Sequence, residues 1–293
     1  MRRAILEALV PSRFEVLHGP GSMLAIRRDA GEQLRRLAMA RPEERAATAP
    51  AFRGRGPTQC LVYDLHNHRR AVFRPYRRGG LLRWLTRNKL FGAARPFREL
   101  EVVESARARG VPTAAVLAVR VDRIAPFLYE GEMVTEELEE APDVRQWLRR
   151  EAPAPAMRRA MVRALGEAVA QLHAAGVIHP DLHLRNLLVR AGEPPCAFVI
   201  DLDRAVRRPE GPGLGRGRLA NLRRLDRSIQ KHNLLEGAGA TRADRFRFLR
   251  AYLRVLAPDL DPRTVARRLG AHYPLRRLRW RLGRWFQRGA AAG

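Results

Sequence analysis

Three oxygen-bearing side chains near the middle of the chain, Asp181, Asn186 and Asp201, stand in an order suited to moving a phosphoryl group. Transfer from a nucleotide needs a carboxylate beside the acceptor hydroxyl, to position it and take its proton. It also needs hard oxygen ligands that hold Mg²⁺ against the phosphates. Asp181 and Asn186 lie five residues apart in His179-Pro180-Asp181-Leu182-His183-Leu184-Arg185-Asn186, and Asp201 closes an apolar run. Asp, Asn and His also serve ordinary turns, where they satisfy backbone groups. The ordered combination sets this stretch apart from a turn.

The surrounding residues specify what must carry these groups. Ala168 and Leu172 mark a helical face that stops at Gly176, a usual C-cap residue. Leu187-Leu188-Val189 and Ala197-Phe198-Val199-Ile200 read as two short strands, turned by Gly192, Glu193, Pro194 and Pro195. The pattern predicts helix, polar loop and hairpin, with Asp181 and Asn186 on the loop and Asp201 and Asp203 directly after the second strand.

The spacing H-x-D-L-x-x-x-N is that of a kinase catalytic loop, so the chain resembles the protein-kinase-like superfamily. More narrowly, HPDLHLRN together with VIDLDRA resembles the lipopolysaccharide kinase family, which includes the 3-deoxy-D-manno-octulosonic acid (Kdo) kinases. The resemblance implies an α+β, two-lobed protein-kinase-like fold with a β-rich N-lobe and a mainly helical C-lobe. It implies Asp181 as the catalytic base, Asn186 and Asp201 as Mg²⁺ ligands and ATP as phosphoryl donor. His179 reads as a packed scaffold residue without a proton-transfer role.

Upstream segments follow kinase order. Gly54 and Gly56 would let a backbone loop close over phosphates, and would equally make a tight turn before the strands that include residues 60–63 and 70–74. Kinases place a cation on the third strand, paired with a helix glutamate, to hold the nucleotide phosphates. No lysine stands in this strand, and Arg74 is the candidate, because VFRPYRRGGLL resembles a segment of the Kdo kinases. A guanidinium binds phosphate as a planar fork, so the charge is kept and the geometry changes. Glu99, in a helix opened by Arg95-Pro96-Phe97-Arg98, is its expected partner by similarity to the family's PFRE segment. Met133 to Leu138 resembles the hinge, with backbone groups of Glu136 to Leu138 expected to meet adenine. Asp203, where protein kinases carry glycine, reads as a further ligand or as a strand-end carboxylate.

Composition bounds the partners. The 293 residues carry 56 basic against 30 acidic side chains, a formal net charge of +26, which favours polyanions. The resemblance points to one of them, Kdo-lipid A, which bears a carboxylate and phosphates at an anionic membrane surface. A heptose kinase of the same family and a small-molecule phosphotransferase of the aminoglycoside type would use the same residues. A basic nucleic-acid-binding protein is the alternative of a different class. The sequence shows no aromatic stacking motif or zinc spacing for that role, so no nucleic acid is expected.

No apolar run reaches the roughly 18 residues of a membrane span, and Glu7 and Pro11 interrupt the apolar start of the chain. The location expected is therefore cytoplasmic, or peripheral at the cytoplasmic face of the inner membrane. Cys60 and Cys196 are far apart and read as reduced, small apolar residues. The tail segment PLRRLRWRLGRWFQ, residues 274–287, has the composition of a helix lying in a membrane surface, and equally of one packing its leucines inward. The organisation expected is an extension over 1–51 packed on the N-lobe, the N-lobe over 52–138, and the C-lobe with its basic tail over 139–293.

Overall fold

The computed structural model describes residues 3–42, 44–45, 52–53, 60–65, 69–76, 89–149, 154–208, 211, 213–236 and 239–270. Gly54, Gly56 and the tail beyond residue 270 lie outside the described residues. The chain divides into two compact units, Met1–Glu139 with Asp201–Ala205, and Glu140–Ile200 with Val206–Gly293.

The first unit is built on an eight-stranded antiparallel sheet. After a short helix α1 (Arg3–Glu7), strands β1 (Phe14–Gly19) and β2 (Ser22–Arg27) form a hairpin turning at Pro20 and Gly21. Helix α2 (Glu32–Met39) follows, then β3 (Phe52–Arg53), β4 (Leu61–Leu65), β5 (Arg69–Pro75) and β6 (Lys89–Phe91). Helix α3 (Ala94–Ala108) leads to β7 (Val116–Ala125) and β8 (Leu128–Glu136). The strand order is β1-β2-β7-β8-β5-β4-β3, with β6 also on β8.

Residues 14–27 are therefore strands of the sheet itself, paired with β7 from Ser22↔Asp122 to Ile26↔Ala118. Leu34 and Leu37 of α2 pack on Leu24, Ile26, Tyr63, Phe73 and Leu117. Each such side chain contributes about 1.5–3 kcal/mol when fully buried. Helix α3 lies against β7 and β8 and buries Phe97 and Leu100 completely. Helices against the sheet explain why Met23 to Ile26 of β2 and the first six residues of β7 are buried without alternation, all of them apolar except Arg120.

The second unit is mainly helical. It contains α4 (Val144–Arg149), α5 (Pro155–Ala174), α6 (Arg216–Glu236), α7 (Arg242–Leu256) and α8 (Pro262–Gly270). Proline at the start of α5 costs no helical hydrogen bond, since the first N–H groups of a helix have no partner within it. Thr241 caps α7 through a reciprocal pair of bonds with Asp244. Helices α5 and α7 cross at Gly166, where a Cβ would stand 2.4 Å from the Phe248 carbonyl oxygen. The predicted hairpin is present as β10 (Leu187–Arg190) and β11 (Cys196–Val199), while β9 (Val177–Ile178) pairs with β12 (Val206–Arg207). No described helix is long and apolar enough to cross a membrane.

Candidate active site

In the first unit, Arg74 of β5 is the meeting point of two acids. Its Nη2 donates to Glu99 Oε1 at 2.5 Å, and its Nη1 lies 3.2 Å from Asp201 Oδ1. Arg74 pairs in register with Met133 of β8, which fixes its place on the sheet. Two residues on, Tyr76 donates its hydroxyl to the other oxygen of Glu99 at 2.5 Å. Glu99 thus accepts from Arg74 of β5 and from Tyr76 just beyond its end, and its own side chain is only 2% exposed. The Tyr76 ring requires Gly131 beside it, since a Cβ there would come within 3.3 Å of the ring and 3.0 Å of Leu90.

Electrostatics follow from this burial. Burial opposes the charge on Arg74, but Glu99, with Tyr76, Asp201 and Asp203, outweighs it and holds the guanidinium above its ordinary range. Burial pushes the Glu99 carboxyl up, against the pull of Arg74 and Tyr76. Burial and the neighbouring Glu99 keep the Tyr76 phenol neutral, raising it well above its usual value. The result is a fixed cation with a buried counter-acid, the arrangement a phosphate-holding arginine needs.

Segment 201–205 adds a second arginine that sequence reasoning missed. Arg95, one helical turn before Glu99 on α3, donates Nε to Asp203 Oδ1 at 2.8 Å and Nη2 to Oδ2. Asp203 is therefore paired with a guanidinium fork. Burial would raise its carboxyl, but Arg95 prevails and holds it below the usual carboxylate range. The only prior signal was position, since Arg95 and Glu99 stand four apart on one helical face.

In the second unit the polar loop is tied by its own scaffold. His179 is fully buried, and its backbone N–H and C=O both bond the Asn221 amide at 2.9 Å. Its Nδ1 accepts the Asp181 N–H at 3.2 Å, which assigns the proton to Nε2, 3.2 Å from the Ile200 carbonyl oxygen. That ring bridges the residue before Asp201 to the backbone of Asp181, as a scaffold residue would.

Asn186 donates Nδ2 to the Asp181 carbonyl at 2.9 Å, an arrangement that leaves the amide oxygen for a cation. The Ile200 N–H bonds the Asn186 carbonyl at 3.0 Å, which locks the loop to the hairpin. The Asp181 side chain is 63% exposed, and His183 Nε2 stands 3.3 Å from its Oδ2. His183, which the sequence did not single out, is thus a neighbour of the candidate base.

The structure groups Arg74, Glu99 and Asp201 in one unit and Asp181 with Asn186 in the other. The expected hinge follows directly on β8. The Glu136 N–H bonds the Ala115 carbonyl and the Glu137 N–H bonds the Arg70 carbonyl, both at 2.9 Å, because the end of β8 remains within the sheet. Those two N–H groups are engaged within the sheet, so the groups of this segment proposed to meet a base are the carbonyls of Glu136 and Glu137 and the backbone of Leu138.

An amide oxygen and a carboxylate are hard donors that suit Mg²⁺, which takes few protein ligands and completes its shell with water and phosphate oxygens. Among the described residues no group of three or more His, Cys, Asp or Glu could hold a metal ion. Asp201 also has a φ of +60°, a left-handed conformation rare for a non-glycine residue. Strain of this kind is held in place by its surroundings and is concentrated at functional sites.

Comparison with known proteins places these residues in a wider group. The family model described as "Lipopolysaccharide kinase (Kdo/WaaP) family" matches residues 43–252. A 3-deoxy-D-manno-octulosonic acid kinase of Vibrio vulnificus is 29% identical over 169 residues, 56% of this chain and 66% of the relative. The chain thus matches slightly less than two thirds of that relative's length. A protein of the same name from Vibrio parahaemolyticus is 30% identical, over 62% of this chain and 72% of the relative. The lipopolysaccharide core heptose(I) kinase WaaP of Pseudomonas aeruginosa is 31% identical, over 54% of this chain and 59% of the relative. The solved structure "WaaP in complex with acyl carrier protein" superposes with a TM-score of 0.53 at 24% identity, covering 92% of this chain and 98% of that one. That likeness shows the α+β, protein-kinase-like fold.

Proposed function

The chain belongs to the lipopolysaccharide kinase (Kdo/WaaP) family, and we propose that it transfers the γ-phosphoryl group of ATP to a hydroxyl of Kdo in Kdo-lipid A. The observation that carries this reading is the Arg74 guanidinium, held by a buried helix glutamate and in contact with Asp201. Any buried arginine needs a counter-acid, as Arg45 has in Glu132; what sets Arg74 apart is its second contact, with the carboxylate expected at the metal. Here the pair holds a cation ready for the ATP phosphates.

Each residue then has a role that follows from its surroundings. The Asp181 carboxylate, open to solvent and flanked by His183, orients the sugar hydroxyl and takes its proton. The hydroxyl oxygen bonds to the γ-phosphorus as the bond from that phosphorus to the β-phosphate oxygen breaks, and ADP leaves. Arg74 holds the phosphates, Glu99 and Tyr76 fix Arg74, and the Glu136 carbonyl with the backbone of Leu138 meets the adenine edge. Asn186 and Asp201 would hold Mg²⁺, whose charge offsets that of the phosphates when it is bound. Gly54 and Gly56 are proposed to cover the phosphates.

The acceptor accounts for the charge of +26. Kdo carries a carboxylate, lipid A carries phosphates and the leaflet holding them is anionic, so the protein would work at the cytoplasmic face of the inner membrane. The 31% identity to a heptose(I) kinase gives a second acceptor, heptose, on the same machinery. Incubation with labelled ATP, Mg²⁺ and either Kdo-lipid A or a heptose-bearing core separates the two. Label on Kdo supports the proposal, label on heptose alone supports the second reading, and label on neither refutes both.

A further inference from the structure

We propose that Arg95 and Asp203 form a positioning clamp that sets Asp201 for the metal, a role that rests on the active-site reading above. Segment 201–205 has two non-glycine residues in the left-handed region, Asp201 at φ +60° and Arg204 at +61°. Such a backbone does not hold itself, because each left-handed residue relaxes unless its neighbours over-determine it. Within the first unit two side chains of the segment are tied to rigid elements. Asp201 meets Arg74 of β5, and Asp203 meets Arg95 of α3. Leu202 between them is buried to 1% exposure, and the Ala205 N–H bonds the Leu202 carbonyl.

The two ties differ in kind. The contact with Asp201 is a single one at 3.2 Å, to a side chain 42% exposed, and a cation that takes Asp201 as a ligand must share it with Arg74. Asp203 is held by both arms of the Arg95 fork, with side-chain exposures of 27% for Arg95 and 16% for Asp203. A bidentate pair fixes direction as well as distance. Both Asp203 oxygens are engaged in it, so this carboxylate anchors the segment in place of acting as a ligand.

The fork is itself braced. The Arg95 guanidinium lies 5.5 Å from the centre of the Tyr76 ring, and Arg74 lies 5.1 Å from the same ring. Tyr76 is 1% exposed and bonded to Glu99. One helix face, carrying Arg95 and Glu99, thereby sets both the phosphate-holding cation and the backbone that presents Asp201. Arg95 acts through Asp203 and touches neither substrate, so the signature of its loss is a change in metal dependence.

The test is Mg²⁺ titration of binding of a fluorescent ADP analogue to the full chain, comparing wild type, Arg95→Ala, Arg95→Lys and Asp203→Asn. Arg95→Ala is expected to raise the half-saturating Mg²⁺ concentration about tenfold, as loss of a group behind a metal ligand does. Nucleotide affinity at saturating Mg²⁺ should stay near that of wild type. Arg95→Lys keeps the charge, loses the fork and should fall between. The reversed pair, Arg95→Asp with Asp203→Arg, should recover part of what Arg95→Asp loses.

An unchanged half-saturation in Arg95→Ala overturns the clamp. So does a lower one, which would mean that the released Asp203 had become a ligand. If Arg95→Ala does not fold, Asp203→Asn, equal in volume, carries the same comparison. Wild-type protein that shows no Mg²⁺-dependent nucleotide binding removes the active-site reading and the clamp with it. If wild type binds and the variants match it, only the clamp is lost.

Discussion

Acidification should weaken the fold of the second unit through one histidine. His173 of α5 is fully buried, with Nδ1 2.7 Å from the Tyr252 hydroxyl and Nε2 3.1 Å from Asn221 Oδ1. Burial disfavours the imidazolium, Asn221 opposes that in part and the Arg218 charge adds to it, so the group is pushed down to about 4. In the unfolded chain it returns to the ordinary value of about 6.5. Between those values the unfolded state binds the extra proton, so stability is fully present above pH 6.5 and is lost as pH falls toward 4. From about pH 7.5 to about pH 5 the linkage amounts to about 2 kcal/mol.

The loss bears on function because Asn221 also holds both backbone groups of His179, two residues before Asp181. The assay is urea unfolding of wild type and His173→Gln at the two pH values, read as the difference between the proteins so that other titrating groups cancel. Wild type should lose about 2 kcal/mol more than the variant on acidification. A histidine NMR titration should place the His173 midpoint near 4. An equal loss in both proteins, or a midpoint near 6.5, would refute the reasoning.

Two further outcomes follow from the packing and the phosphate site. Gly166→Ala places a methyl 2.4 Å from the Phe248 carbonyl oxygen and 2.9 Å from the Ala251 methyl. The gain in helix propensity of about 1 kcal/mol should be outweighed, giving a net loss of about 2 kcal/mol in urea unfolding. Arg74→Ala should raise the KM for ATP about tenfold or more, the cost of a charged hydrogen bond to phosphate. The acceptor KM should hold, and steady-state kinetics with ATP and acceptor varied in turn would separate the two.

What the sequence made legible was local. The helix, loop and hairpin around residues 168–200 could be read because Gly176 and the Gly-Glu-Pro-Pro turn punctuate them, and the structure has α5, β10 and β11 there. Arg74 and Glu99 were found as a pair through the family's segments. Arg95 was not, because arginine is abundant here and no single one stands out. Its partner Asp203 lies 108 residues away, a pairing only tertiary placement decides. His173 was hidden for the same reason: within AVAQLHAAG it has the look of a helix residue, and its partners come from α6 and α7. The sequence does not show where β8 leaves the sheet, so it could not tell that the N–H groups of Glu136 and Glu137 are bonded within it.

The central claim is that Asp181 serves as the base of a phosphoryl transfer. It is tested most directly by following label from ATP into Kdo-lipid A with wild type and Asp181→Ala at matched concentration, each checked for an unchanged circular dichroism spectrum. The account predicts transfer by wild type and a fall of about 10²-fold or more in the variant, with nucleotide binding retained. Turnover near the wild-type rate in folded Asp181→Ala protein would contradict it.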